Sequence, residues 1–255
     1  MDRTTPLPLY DFFETRRTVR RYSNRHVDEA LISRLLTAAC HAPTTGNMQL
    51  YSIVITRDDA ARERLAPAHF NQPSVTSGAG IVLTFCADFN RFEKWCRQRQ
   101  ASPGFENLQS TMSAILDTVI VAQQFCTLAE MSGLGCCYLG TTTYNAADLS
   151  RELKLPRRVI PVTTLTVGYP DGPAPLSDRL PVSAIIHSEV YHDYSNDDID
   201  KAYAEKESRP DSAKFIAENG KTTLAQVFTD VRYPRSTNEA FSETFMQILR
   251  DNGCI

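Results

Sequence analysis

The sequence predicts an α+β sandwich rather than a doubly wound parallel sheet. The chain of 255 residues has 42% hydrophobic and 22% charged residues, which is typical of a globular protein with a substantial core. Short β-branched segments alternate with helical patterns, but not in the regular rhythm of βαβ units. One helical pattern, residues 106–132, is apolar on more than one face and predicts a central buried helix.

The first half of the chain predicts two helices and two strands. Asp28 is a suitable N-cap, and Pro43 a suitable stop, for the first helix. The apolar and β-branched segments that follow predict buried strands. In chain order, the elements are a helix at 28–42, a strand at 50–58, a short helix at 59–66 and a strand at 80–88.

The second half begins with the long helix, which the glycines at 133 and 135 end. A second helix runs from Asn145 to Leu155 and ends before Pro156. The other predicted elements are strands at 136–140 and 159–169, a proline-rich loop at 171–181, and helices at 196–207 and near 237–251.

Composition also bears on domain organisation and compartment. Residues 196–255 are more polar and acidic than the rest, so we predict a core over 1–195 with a C-terminal helical extension in the same domain. No stretch approaches the roughly 20 consecutive apolar residues of a membrane helix. The N-terminal "MDRTTPLPLYDFF" lacks a charged-then-apolar signal pattern. We expect a cytoplasmic protein without a membrane partner.

The seven cysteines are odd in number and have no Cys-x-x-Cys spacing. Most occur in apolar contexts such as "IVLTFCAD", where a reduced cysteine packs as a small hydrophobic residue. No histidine is paired with a Cys or Glu at the spacing of metal ligands. The sequence therefore predicts buried, inert thiols and no metal site.

Several common catalytic motifs are absent from the sequence. It contains no G-x-x-x-x-G-K-[ST] phosphate loop, no G-x-S-x-G nucleophile elbow and no His-Glu-x-x-His. The segment "GLGCCY" lacks the third glycine of a dinucleotide fingerprint and precedes a strand instead of a helix. Because side chains offer no obvious nucleophile or metal, a cofactor is the better candidate for the chemistry.

The segment "ETRRTVRRYS" concentrates positive charge in a chain whose formal net charge is -3. One interpretation is a solvated helix end. Nucleic-acid binding is a second, but it needs a basic face that extends along the partner, whereas this charge is local. A single phosphate is the third, because closely spaced guanidinium groups around the hydroxyl of Thr18 match a phosphomonoester. The arginines are Arg16, Arg17, Arg20 and Arg21.

A second polar segment, "ACHAPTTGNMQLYSIVI" (39–55), ends a helix at a proline and precedes a strand. Its hydroxyls, amides and free backbone N–H groups could bind the polar edge of a flat ring. The alternative is a plain helix-to-strand turn with capping hydroxyls. Its polar or glycine positions are Thr44, Thr45, Gly46, Asn47 and Gln49.

Together these segments resemble the FMN-dependent nitroreductase family. "RRTVRRY" (16–22) matches its arginine-rich opening element, and "APTTGNMQ" (42–49) matches its helix-to-strand loop. Further segments resemble the branch of flavin reductases and oxygen-insensitive NADPH nitroreductases, in the expected order. They are "FCADFNR" (85–91), "SGLGCCYLG" (132–140), "LKLPRRVIPV" (153–162), "VGYP" (167–170) and "DRLP" (178–181).

The resemblance covers about residues 10–195 and implies a fold and an activity. It implies a central, mostly antiparallel sheet flanked by helices, in an entwined homodimer with FMN at the subunit interface. The implied enzyme passes a hydride from NADPH or NADH through FMN to nitroaromatics, quinones or free flavins, and no side chain serves as catalyst. Another flavin reaction on the same scaffold, or a non-enzymatic flavin-binding protein, are the alternatives.

The resemblance also implies a set of cofactor-binding residues. The residues of the arginine segment, from Arg16 to Arg20, surround the FMN phosphate and ribityl chain. Arg179 reaches the same phosphate from a distant loop. The loop at 43–47 meets the flavin ring, with the partner subunit as its expected source. The complete implied set is Arg16, Arg17, Thr18, Arg20, Pro43, Thr44, Thr45, Gly46, Asn47, Gln72, Tyr138, Leu139, Gly140 and Arg179.

Two departures from the branch affect these expectations. Ser177 stands where the branch usually has a Lys two residues before the arginine of "DRLP", so one charged contact to the phosphate is lost. Arg16, where relatives can have His, is a candidate replacement. Residues 196–222 mix acids with the cations Lys206, Arg209 and Lys221, so we expect only moderate discrimination between NADPH and NADH, with NADPH preferred.

Overall fold

The computed structural model describes residues 9–255, which divide into two compact units. The first unit extends to Pro175 and includes Glu243–Ile255, and the second is Leu176–Ser242. The assignment of residues 196–255 to an extension of a single domain stays a prediction.

The first unit contains a four-stranded sheet in the order β1-β2-β4-β3. Each neighbouring pair is antiparallel, with Ile53 opposite Phe85 in the first pair and Leu83 opposite Leu165 in the second. A register shift between Phe85 and Cys86 interrupts the β2–β4 pairing. The predicted antiparallel sheet is confirmed. Its strands are β1 (Tyr51–Thr56), β2 (Ile81–Asp88), β3 (Gly135–Leu139) and β4 (Val159–Gly168).

The helices predicted from the sequence are present, with bounds that differ by a few residues. The sequence reasoning missed four helices, at Leu9–Glu14, Asn90–Gln98, Pro210–Glu218 and Leu224–Gln226. The set comprises α1 (Leu9–Glu14), α2 (Glu29–Ala39), α3 (Asp59–Leu65), α4 (Asn90–Gln98), α5 (Leu108–Met131), α6 (Ala146–Glu152), α7 (Asn196–Ser208), α8 (Pro210–Glu218), α9 (Leu224–Gln226), which continues as a π-helix over Val227–Arg232, and α10 (Arg235–Asp251).

The core forms where α5 packs on the sheet. Phe125 of α5 lies against Phe85 of β2, with ring centroids 6.1 Å apart. Val121, Ala122 and Ala129 are fully buried beside them, as expected for the central helix. The Asn107 side chain caps the helix by accepting a hydrogen bond from Ser110 N. Because α5 crosses the core, side chains along its length can fix segments that are far apart in sequence.

The opposite face of α5 remains exposed in a single chain. By length and composition this is the one helix among residues 9–255 that could cross a membrane, but 44% of its apolar window is buried inside the fold. Large apolar side chains recur at helical spacing on the exposed face and form a continuous stripe. The stripe consists of Leu108, Met112, Leu116, Val119 and Ile120.

Candidate functional site

The arginine segment lies along β3, the edge strand of the sheet. The helix α1 ends at Glu14, and the arginines follow it on chain outside any helix, with Arg16 N bonded to Phe13 O at 3.3 Å. Val19 N donates to Cys136 O at 3.1 Å, which ties the segment to β3. The approach is close, because a Cβ on Gly135 would lie 2.5 Å from the Cβ of Val19. Gly135 therefore allows the segment to lie against the sheet.

Tyr22 anchors the end of this segment. Its hydroxyl is buried within 2.9 Å of Val19 O, Thr166 O and Thr166 Oγ1. Burial raises the pKa of the phenol far above its ordinary value, so the hydroxyl keeps its proton as a hydrogen-bond donor. A Cβ on Gly80 or Gly168 would lie 2.8 Å from the tyrosine ring, so both positions need glycine for the ring to fit.

Arg16 is half-buried and paired with a carboxylate from α5. Its Nε donates to Glu130 Oε2 at 2.9 Å, and its Nη2 lies 2.9 Å from Oε1 in an ion pair. Burial raises the pKa of Glu130, and the contacts from Arg16 oppose that shift. The arginine predicted to replace a lost phosphate contact is thus already held by a carboxylate. This contact fixes the start of the arginine segment on α5.

Two thiols complete the surroundings of Arg16. The ligand atoms of Cys126, Glu130 and Cys136 lie within 4.8 Å of one another, and Arg16 Nη2 is 3.9 Å from Cys126 Sγ. No Cys-x-x-Cys spacing revealed this cluster, because one thiol is on α5 and the other on β3. Since a guanidinium already neutralises the carboxylate, we assign the cluster to the positioning of Arg16. The predicted buried thiols are confirmed except at Cys40, which is exposed.

The remaining arginines of the segment are exposed, and Arg20 also interacts with the thiol of Cys137. Arg17 and Arg20 are exposed, and no ion pair is formed by either among residues 9–255. Thr18 between them is half-buried. Arg21 lies 3.5 Å from Asp171. The segment therefore offers two guanidinium groups and a hydroxyl without a competing carboxylate, a donor set that fits a phosphate.

The loop at 43–47 is fixed on α5 by a buried carboxylate. Asp117 is 2% exposed, and its Oδ1 accepts from Thr45 N at 2.9 Å and from Thr45 Oγ1 at 3.0 Å. The chain turns through left-handed conformations at Gly46 and Asn47, with φ of 56° and 54°. Among residues 9–255, nothing forms a hydrogen bond with the buried Oγ1 of Thr44 or the buried Oδ2 of Asp117. Such orphaned atoms are suited to a polar ligand.

Gln72 is connected to the end of β3 through buried polar contacts. His69 Nδ1 lies 2.9 Å from Thr141 Oγ1, and the side chain of Asn145 donates to Ala68 O at 2.8 Å. Burial lowers the pKa of His69 to about 4, so the ring is neutral at pH 7. These contacts hold His69 against the residue that follows Gly140, and Gln72 N donates to His69 O at 3.1 Å.

The predicted residues at the end of β3 differ in exposure. Tyr138 is half-buried, Leu139 is buried and Gly140 is exposed. A Cβ on Gly140 would meet nothing within 4 Å, so the backbone there is open to a ligand. The structure thus brings the arginine segment, the end of β3 and Gln72 to one edge of the sheet. Pro43 is exposed, and the loop that follows it is not part of this group, because it is bonded to Asp117 of α5.

Arg179 belongs to the second unit. Its Nη1 donates to Asp178 O at 2.8 Å, and its guanidinium is exposed. The carboxylate of Asp178 pairs instead with Lys206 at 2.7 Å. The assignment of Arg179 as a phosphate ligand stays a prediction.

Comparison with known proteins identifies the family. The sequence pattern of the nitroreductase family matches residues 13–169. The chain belongs to the nitroreductase family. This match includes every candidate site residue from Arg16 to Gly140, whereas Arg179 lies outside it. The predicted family and its α+β fold are confirmed.

Two relatives and one solved structure agree with this assignment. The chain is 30% identical over 184 residues to the oxygen-insensitive NADPH nitroreductase of Salmonella typhimurium, covering 72% of this chain and 75% of that protein. It is 29% identical over 183 residues to the FMN reductase (NADPH) of Bacillus subtilis, covering 71% and 73%. A crystal structure of a Bacteroides fragilis protein has a TM-score of 0.94 at 52% identity, covering 96% of this chain and 99% of that one.

Proposed function

We propose that this protein is an FMN-dependent oxidoreductase that uses NADPH or NADH to reduce nitroaromatics, quinones or free flavins. One observation carries the proposal: an extended arginine segment pinned to β3, with Arg17 and Arg20 free of carboxylate partners among the described residues. The names of the relatives, an NADPH nitroreductase and an FMN reductase, support the same reaction class.

The donor set fits the phosphate of FMN. Guanidinium groups form charge-assisted hydrogen bonds with phosphate oxygens, and a hydroxyl between them adds a further donor. Arg16, held by Glu130, positions the segment, while Arg17, Thr18 and Arg20 face the phosphate. The sequence contains no fingerprint for a second nucleotide half, which favours FMN over FAD.

The chain's own groups bind and orient the cofactor. FMN, when bound, supplies the chemistry of hydride transfer. Gln72 and the open backbone at Leu139 and Gly140 are assigned to the flavin ring, where N–H donors stabilise negative charge on the reduced ring. No side chain is assigned as a catalytic acid or base.

The site is shared between two subunits. Glu130, which holds Arg16, lies 13 residues after Asp117, which holds the 43–47 loop. At about 1.5 Å per helical residue, these anchors are about 20 Å apart along α5. One chain therefore does not bring the loop beside its own arginine segment, and the loop of the partner subunit completes the site. The exposed apolar stripe of α5 supplies a dimer surface.

The dimer is tested by sedimentation at sub-micromolar concentration. An obligate interface buries about 2,000–5,000 Å², which keeps two chains together on dilution. We expect twice the chain mass throughout. A monomer that retains FMN and turns over would contradict the shared site.

Because the cysteines of residues 9–255 are unpaired thiols, we propose that the enzyme works in the reducing cytoplasm.

The function is tested by cofactor analysis and reduction. Cofactor released by heat should run as FMN on chromatography. Anaerobic NADPH or NADH should bleach the flavin band rapidly, and a quinone should then restore it with turnover. Release of FAD, or no flavin binding after reconstitution, would overturn the assignment. Stable flavin binding without bleaching would indicate a flavin-binding protein that is not an enzyme.

A further inference from the structure

A cavity of about 570 Å³ opens beside the 43–47 loop. Its size lies within the range of small-molecule sites. One wall is the turn of the loop, and the other is the exposed face of α4, a helix that sequence reasoning missed. The lining residues are Gly46, Asn47, Met48, Arg91, Phe92 and Trp95.

The aromatic wall of the cavity is exposed but held in place. Trp95 is 55% exposed, and its ring lies 5.5 Å from that of Phe92 at an angle of 53°. Phe92 makes an edge contact with Phe105 at 5.5 Å. The helix that carries these rings is fixed by the buried ion pair of Glu93 with Arg158, whose Nε is 2.8 Å from Oε1. A rigid helix thus presents a large aromatic side chain to solvent.

A cation lies at the rim of the cavity. The side chain of Arg91 is oriented by hydrogen bonds from Nη2 to Gln49 O and to Tyr51 O, the latter at 2.9 Å. An arginine has five N–H donors, so others are available to a ligand. Asp88 accepts from Arg91 N at 3.1 Å and fixes the start of α4. The cavity therefore combines a flat apolar wall with a positioned positive charge.

We propose that this cavity binds the ring of a flat aromatic electron acceptor whose anionic or oxygen-rich substituent faces Arg91. The proposal rests on the proposed function and assigns acceptor selectivity to Trp95 and Arg91. Aromatic rings stack in offset or edge-on geometry, which Trp95 and Phe92 offer. Continuity with Gly46 and Asn47, which are assigned to the flavin ring, places the cavity beside the reacting centre.

The test uses Trp95 as its own reporter, because it is the single tryptophan of the chain. Holoprotein is titrated with 4-nitrobenzoate and with nitrobenzene, and free N-acetyltryptophanamide corrects for absorption. We expect saturable quenching by both ligands and tighter binding of the anion. In steady-state assays, Trp95→Leu should raise KM for 4-nitrobenzoate about two- to tenfold, and Trp95→Phe should largely restore it. Tyr10→Leu, another exposed aromatic residue of the first unit, is the matched control.

Three outcomes would overturn the inference. Quenching that never saturates, or a KM for 4-nitrobenzoate unchanged in Trp95→Leu, would show that the acceptor does not bind here. A rise confined to the KM of NADPH would assign the cavity to the nicotinamide donor instead. Turnover of the wild-type holoprotein with ferricyanide tests the proposed function separately, since this acceptor has no aromatic ring. If the wild-type holoprotein turns over ferricyanide but Trp95→Leu leaves the KM for 4-nitrobenzoate unchanged, the cavity proposal is refuted and the proposed function is not.

Discussion

Replacing Asp117 by Ala should release the 43–47 loop from α5. In the wild-type chain the Oδ1 of this buried carboxylate accepts two hydrogen bonds from Thr45, at 2.9 Å from the backbone N and 3.0 Å from Oγ1. The substitution leaves the backbone N–H without its partner. The loop would then lose the contact that fixes its left-handed turn at Gly46 and Asn47.

The magnitude follows from the geometry. Hydrogen bonds to a charged group contribute roughly 1.5–3 kcal/mol each, and the Oγ1 bond of the exposed Thr45 falls below that range, at about 1 kcal/mol. Against this, the buried Oδ2 of Asp117 has no hydrogen-bond partner in the described part of the chain, and removing the carboxylate relieves that cost. We expect Asp117→Ala to lower the free energy of unfolding by about 2 kcal/mol.

A double-mutant cycle isolates the side-chain bond. Thr45→Val removes Oγ1 and keeps the backbone N–H, so its cost should be about 1 kcal/mol in the wild-type chain and near zero with Asp117→Ala. Urea unfolding at one fixed protein concentration measures both. Ser113→Ala, which removes a hydroxyl bonded to Gln109 O on the same helix, is the control. An equal cost of Thr45→Val in both backgrounds would refute the reasoning.

Three further predictions concern the cofactor, pH and the nicotinamide donor. Arg20→Ala and Arg179→Ala should each weaken FMN binding about tenfold or more, whereas Arg21→Ala, whose guanidinium lies near Asp171, should matter less; fluorescence titration of free FMN measures this, and equal affinities would contradict the phosphate assignment. His69 has a pKa of about 4 in the folded chain against 6.5 when unfolded, so the unfolded state binds more protons and stability falls as pH drops between these values. The contribution of His69 to the slope should approach about 1.4 kcal/mol per pH unit, so that urea unfolding of His69→Asn should show a slope smaller than wild type by that amount. The ratio of kcat/KM for NADPH over NADH should stay below about tenfold and shrink with salt, because exposed ion pairs contribute about 1 kcal/mol or less; a salt-insensitive thousandfold preference would contradict this. Each cation considered for that role already pairs with a carboxylate: Lys206 with Asp178, Arg209 with Asp211 and Lys221 with Asp230.

Local sequence patterns determined the elements of this protein. The residues of β1 are β-branched and those of β2 form a continuous apolar run. Both patterns predict strands, because such side chains pack well on the buried faces of a sheet. The glycine-containing segment after α5 ends the helix as predicted: Gly133 follows the last turn with a φ of 81°, whereas Gly135 already belongs to β3. The helix α4 was missed because its nine residues are mostly polar. Only a few of them are buried, so the sequence shows no clear apolar periodicity there.

Family motifs located the candidate site residues, but only the tertiary structure showed what holds them. Glu130 meets Arg16 across 114 positions, and Asp117 meets Thr45 across 72. Neither carboxylate stands out in the sequence of α5, since a buried acid within an apolar helix acquires its role from the segment packed on it.

The cavity beside Trp95 likewise exists only after folding. Its two walls come from the loop before β1 and from α4 after β2, so their approach depends on the antiparallel pairing of those strands. Periodicity is a property of neighbours within a few residues along the chain, and it therefore determines elements. Contacts between elements depend on sheet order and helix packing, which bring together residues whose spacing in sequence carries no information about their distance in space.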